Sequence, residues 1–195
     1  ISANDIHYCF AGDLLNQCIS SSFGLRELGI PFYGIFGACS TFVEGMQLGS
    51  VFIDGGGADK CLCAASTHFC SAEKQFRFPL ELGNQRPPTS QWTVTGSGSA
   101  ILSKTGDGPF ITHITTGKVV DMGIKDANNM GAVMAPAAAL TLATHLNEMK
   151  RSVNYYDLII TGDLGKVGKE LFLELLKEVY DINLKKYIDA GCEIY

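Results

Sequence analysis

The chain has 195 residues, 20 acidic against 15 basic, and a net charge of −5 with a pI near 5.3, which excludes broad nucleic-acid binding. An apolar fraction of 46% with 18% charged residues is that of a globular chain able to bury a core, and no apolar run is long enough for a membrane-spanning helix. Seven cysteines, an odd number without zinc-finger spacing, point to reduced thiols in a cytosol-like compartment rather than to a disulfide framework.

In chain order, DIHYCFA (5–11) reads as a strand, and Asp13 is placed to cap a helix whose apolar positions Leu14, Cys18, Ile19 and Phe23 recur at helical spacing. GIPFYGIFG (29–37) is a second strand bounded by glycines. From Ser40 to about Ser50 the pattern is a helix apolar nearly all round, a type normally buried. KCLCAASTH (60–68) is a third strand, with Cys61 and Cys63 on one face. A polar, proline-containing excursion (69–91) leads to WTVTGSGSAILS (92–103), a strand whose Gly96-Ser97-Gly98 allows close backbone approach or a bulge.

After a turn at 104–110 the pattern starts again. FITHITTGKVV (110–120) alternates as a strand does. Asp126, Asn128 and Asn129 offer caps to an alanine-rich helix that runs to about Lys150, with Pro136 near its beginning. YYDLIITG (155–162) reads as a compact buried strand, and 163–180 as an amphipathic helix with Val167, Leu171, Leu175 and Val179 in register. The alternation predicts α/β layering around a mostly parallel sheet. The change near Lys104 to Pro109 predicts two similar halves, 1–104 and 105–195.

The stretch GIFGACSTF (34–42) sets Cys39 at the junction of a strand and a helix. A cysteine in the first turn of a helix faces unpaired N–H groups and the positive end of the helix dipole, and both favour the thiolate. The other six cysteines read as small buried hydrophobes. Of the histidines, only His68 ends a strand near the presumed pocket; His7, His113 and His145 read as structural or solvated.

Strand, then Gly-Ala-Cys-Ser, then strand, excursion and TGSGSAIL is similar to the thiolase-like superfamily, especially type III ketoacyl synthases. Within it the chain resembles most closely the stage V sporulation protein AD family, through AGDLLNQ (11–17), YGIFGACST (33–41), EKQFRFP (73–79), QRPPTSQWTVTGSGSA (85–100), DANNMGAVMAPAA (126–138) and YYDLIITGDLGKVGKELF (155–172). The resemblance implies a thiolase-like fold, layered α-β-α-β-α. It also implies that this chain is incomplete at both ends: the first strand and helix of the N-terminal half would precede Ile1, and the last strands and a glycine-rich loop would follow Tyr195.

Active ketoacyl synthases bear an acylated cysteine in this motif and a histidine after the central strand of the second half. Here that place reads Gly162-Asp163-Leu164-Gly165, without a histidine, and a carboxylate there opposes a thiolate or an enolate. The resemblance therefore implies a condensing-enzyme-like fold that binds dipicolinic acid, with or without calcium, without catalysis and without a cofactor or resident metal. It would belong to a spore uptake system, on the cytoplasmic side of the developing spore and peripheral to its inner membrane. Membrane proteins of that system, and a homodimer formed through 92–102, are the expected partners; nucleic acid is not. The ligand-binding candidates are Cys39 and Ser40, whose backbone N–H groups would hold one carboxylate, with His68, Lys74, Arg77, Arg86, Ser97, Asp163 and Lys166. Arg86 is the strongest of the cations, because the prolines that follow stiffen its loop. Alternatives are an active acyltransferase or condensing enzyme using Cys39, and a non-binding scaffold of a membrane complex.

Overall fold

A computed structural model describes residues 1–15, 18–76 and 87–194. The chain forms two units, Ile1–Leu82 with Thr93–Ile114 and Gly83–Trp92 with Thr115–Tyr195.

In the first unit the strands are β1 (Tyr8–Asp13), β2 (Phe32–Gly34), β3 (Lys60–Thr67) and β4 (Gly96–Ser103), and the helices are α1 (Ile19–Leu25), α2 (Thr41–Asp54) and α3 (Phe69–Phe76). The sheet order is β2-β1-β3-β4; β2 and β3 run parallel to β1, and β4 runs antiparallel to β3. Strand alternation divides the core. Phe10, Cys61 and Ile35 bury one face with Tyr8, Leu48 and Phe52, while Cys9, Ala11 and Leu62 bury the other with Leu25 and Ile30.

Helix α2 is buried on one face only, along Thr41, Gly45 and Gly49, whereas Val43 and Val51 are 55% and 59% exposed. Its glycines explain this: a Cβ on Gly49 would lie 3.1 Å from Cys63 Sγ and from Leu102 Cδ1, so the backbone is drawn onto the sheet and the opposite side is left outward. The expectation of all-round burial is corrected accordingly. The first strand begins at Tyr8 rather than Asp5, because Ala3–Asp5 forms a 3-10 turn capped by Ser2. The excursion begins with α3.

The second unit holds α4 (Met130–Met149), β5 (Ile159–Thr161), α5 (Gly165–Tyr180) and β6 (Tyr187–Asp189). Strands β5 and β6 pair in parallel. Asn129 caps α4 by accepting the Ala132 N–H at 3.2 Å, and Pro136 lies inside the helix. The core is Ala135, Ala139, Leu164, Phe172 and Leu176. Helices α4 and α5 meet at Gly131 and Gly168, where a Cβ on Gly168 would lie 2.8 Å from Gly131 Cα.

That contact moves the buried seam of α5 to Gly168, Phe172 and Leu176, one position beyond the expected Val167–Leu171–Leu175–Val179 stripe; Val179 is 63% exposed. Residues 110–120 form no strand, with Phe110 75% and Val119 100% exposed. Alternation produces a strand only where a neighbour accepts the ladder, and among the described residues no strand pairs with this segment. The strand expected at 155–162 is only Ile159–Thr161 and is not fully buried, since Ile160 is 58% exposed.

Candidate functional site

Because β2, β1 and β3 are parallel, their carboxyl ends share one edge of the sheet. Cys39 follows β2, Asp13 ends β1 and His68 follows β3, and antiparallel β4 brings Ser97 back to the same edge opposite Ser66. The first unit thus collects Cys39, Ser40, His68 and Ser97 where α/β folds present ligand-binding loops. His68 and Ser97 are exposed there.

The Cys39 loop is seated by its backbone. The Ile35 N–H donates to Ala11 O at 3.0 Å. A side chain on Gly12 would overlap the Ile35 carbonyl and come within 2.8 Å of the Thr41 methyl, so only glycine lets the loop lie against β1. Ala38, just before Cys39, holds a left-handed φ of 50°, a conformation that costs an alanine about 1–2 kcal/mol and is kept by its surroundings. Thr41, buried, supplies them: its hydroxyl donates to Ala38 O at 2.8 Å and accepts the Gly37 N–H at 3.1 Å.

Cys39 lies in a 3-10 turn, Ala38–Ser40, that leads into α2, and its side chain is exposed. Of the expected pair of carboxylate donors, the Ser40 N–H already has a partner. It donates to Gly37 O at 3.0 Å, and the Ser40 hydroxyl donates to the same oxygen at 2.8 Å.

Beneath this edge Asp13 is buried and accepts from the Ser21 N–H at 3.0 Å, the Ser21 hydroxyl at 2.6 Å and the Ser66 hydroxyl at 2.5 Å. It stabilises the start of α1 from the end of a strand rather than from the residue before the helix, where Cys18 sits with φ 51°.

In the second unit Asp163 lies in the turn after β5 and Lys166 is exposed in the first turn of α5. The N–H groups at the start of α5 have a carboxylate partner from elsewhere in the chain. It is Asp189 at the end of β6, which accepts the Leu164 N–H at 2.9 Å and the Gly165 N–H at 3.3 Å. Sequence reading missed Asp13 as a gathering point and Asp189 altogether. The available signal was a carboxylate closing an apolar strand run, as in YCFAGD and YID. Arg77 and Arg86 lie outside the described residues, as does the side chain of Lys74.

Burial sorts the thiols. It pushes the Cys9 thiol up to about 11 and Cys63 up to about 12, each raised further by the neighbouring Cys61, whereas Cys39 and Cys70 are exposed. The Cys63 thiol donates to Gly45 O at 3.2 Å, as a packing group does. His145 is held between the Thr115 hydroxyl at 2.8 Å and the Tyr156 hydroxyl at 2.6 Å. Neither His7 nor His113 lies on a strand. Among the described residues no group of three or more His, Cys, Asp or Glu is placed to hold a metal ion, and no helix is long and apolar enough to cross a membrane.

Comparison with known proteins bears on this geometry. The family model described as stage V sporulation protein AD (SpoVAD) matches residues 1–195. Stage V sporulation protein AD of Bacillus subtilis (strain 168) is 45% identical over 196 residues, an alignment covering 100% of this chain and 58% of that protein. Among solved structures, 3-oxoacyl-(acyl-carrier-protein) synthase III of Aquifex aeolicus aligns with a TM-score of 0.67 at 14% identity, over 97% of this chain and 63% of that one. Cerulenin-bound OleA of Xanthomonas campestris aligns with a TM-score of 0.69 at 13% identity, over 98% and 62%. The fold is thus thiolase-like, and the chain spans a little over half of the curated relative.

Proposed function

The chain belongs to the stage V sporulation protein AD family, and from that premise we propose that its condensing-enzyme-like fold binds dipicolinic acid for a spore's dipicolinate and calcium uptake system without catalysing condensation. One observation carries the reading. The turn after β5, where an acyl-condensing enzyme would place a histidine, carries Asp163 and no histidine. In the condensing-enzyme arrangement a carboxylate at that position would oppose a thiolate or a developing enolate.

Pyridine-2,6-dicarboxylate is small, planar and dianionic, so it calls for a concave site with cations and hydrogen-bond donors. Lys74, Arg77 and Arg86 of the excursion, with Lys166, are the cations of the reading; Cys39, Ser40, His68 and Ser97 line the carboxyl edge of the first sheet. Asp163 would meet calcium carried with the ligand. A homodimer through 92–102 is part of the same proposal and is supported by β4 being the last strand of its sheet, while docking to membrane proteins of the uptake system follows from the transport role.

Calorimetric titration of dipicolinate into the full-length protein, with benzene-1,3-dicarboxylate as control, tests the reading. Saturable heat for dipicolinate alone is expected. Equal, negligible heats for both would favour a scaffold. The exposed Cys39 beside the left-handed Ala38 favours a second reading, acyl transfer. A mass adduct on Cys39 after incubation with an acyl-CoA would establish it.

A further inference from the structure

Within the Gly162–Gly165 turn the Leu164 N–H reaches Gly162 O at 3.0 Å, a bond it shares with an acceptor outside the turn. The turn contains two glycines, Gly165 has a φ of +68°, and Leu164, which begins α5, offers no side-chain cap. Gln91 Nε2 donates to Leu164 O at 2.9 Å, and most of the remaining bonds come from the end of β6 and the loop after it. Asp189 is fully buried, and one carboxylate oxygen accepts the Leu164 N–H at 2.9 Å and the Thr161 hydroxyl at 2.8 Å. The other accepts the Gly165 N–H at 3.3 Å and the Cys192 N–H at 3.1 Å. Four donors occupy the four acceptor directions of a carboxylate and join the end of β5, the turn and the loop 189–192 in one knot.

Two residues further on, Gly191 lies flat against Asp163: a Cβ built there would overlap the Asp163 carboxyl group. The loop after β6 therefore grips the turn twice, at its backbone through Asp189 and at its side chain through Gly191.

We infer that Asp189 and Gly191 are positioning residues: together they set the backbone of the Gly162–Gly165 turn and the direction of the Asp163 side chain, and so the way Lys166 faces a bound anion and Asp163 the calcium carried with it. The ligand-facing part of this inference rests on the binding reading above; the grip on the turn does not. Neither positioning residue touches the ligand.

Three variants of the full-length protein test it, by dipicolinate titration and by residue-resolved amide exchange without ligand. Asp189→Asn keeps the size but turns one acceptor into a donor; exchange at Leu164 and Gly165 should rise about tenfold or more, and dipicolinate affinity should fall by about tenfold. Gly191→Ala keeps the Asp189 bonds but displaces Asp163, so affinity for dipicolinate titrated with calcium should fall while Leu164 stays protected. Lys166→Ala should weaken binding in the parent but add little on top of Asp189→Asn, because the turn that presents it is already loose.

Parent-like protection of Leu164 and Gly165 in Asp189→Asn would overturn the grip. Loosened amides with parent affinity would leave Asp189 a stabilising residue only and overturn its positioning role. A parent that binds no dipicolinate would sink the binding reading, and the exchange data would still decide whether Asp189 holds the turn.

Discussion

The thiols give the sharpest contrast inside one molecule. At pH 8 an ordinary thiol with a pKa near 8.5 is about one quarter ionised. With Cys9 pushed up to about 11 and Cys63 to about 12, their thiolate fractions at that pH are about one in a thousand and about one in ten thousand. Access widens the gap, since Cys9 is 1% and Cys63 0% exposed and alkylation requires the strands to open. Iodoacetamide added to the native full-length protein at pH 8, quenched at intervals and read by peptide mass spectrometry, should label Cys39 and Cys70 first. Cys9 and Cys63 should lag by at least about a hundredfold and catch up only in denaturant. If Cys9 or Cys63 labels within tenfold of Cys39 under native conditions, the packing of β1 and β3 and the singling out of Cys39 both fail.

Gly168→Ala should destabilise the protein by about 1–2 kcal/mol, since the added methyl would lie 2.8 Å from Gly131 Cα, whereas Gly24→Ala, in a helix with open space around it, should stabilise by about 0.5–1 kcal/mol; urea midpoints that fail to move in opposite directions would contradict the α4–α5 crossing. Stability should fall as pH rises from about 9 toward 12, because the native state keeps protons on Cys9, Cys63 and Tyr187 (pushed up to about 11, 12 and 12) that the unfolded chain releases earlier; a flat urea midpoint between pH 8 and 10.5 would refute the sign. Arg86→Ala should lower dipicolinate affinity about ten- to a hundredfold, with Arg86→Lys recovering only part because an ammonium cannot make the two-point planar contact; parent affinity in both would move the anion away from Arg86.

The parts of the fold legible in the sequence are those whose signal is local. KCLCAASTH reads as a strand over 60–68 and β3 spans Lys60–Thr67, because an apolar run bounded by turns needs no further information. The alanine-rich segment after Asn129 is α4, with that asparagine as its cap. What failed depends on distant chain. Asp13 reaches Ser21 across eight residues and Asp189 reaches Leu164 across 25, so neither gathering role follows from neighbouring positions. The buried stripe of α5 is displaced by one residue because Gly168 meets Gly131 on another helix, and periodicity cannot distinguish two adjacent apolar stripes. At the candidate site, the junction that bears Cys39 was visible from glycine, apolar run and helix start. The capture of the Ser40 N–H by Gly37 was not, since it depends on the left-handed turn at Ala38.

The central claim is that a fold shared with acyl-condensing enzymes here holds a small dianion at the edge of the sheet where Cys39 lies. Calorimetric titration of dipicolinate into the full-length parent alongside Cys39→Ala and Cys39→Trp tests it most directly. Saturable binding in the parent, modest weakening in the alanine variant and loss in a folded tryptophan variant are the predicted results. Undiminished affinity in the tryptophan variant, or no binding by the parent, would contradict it.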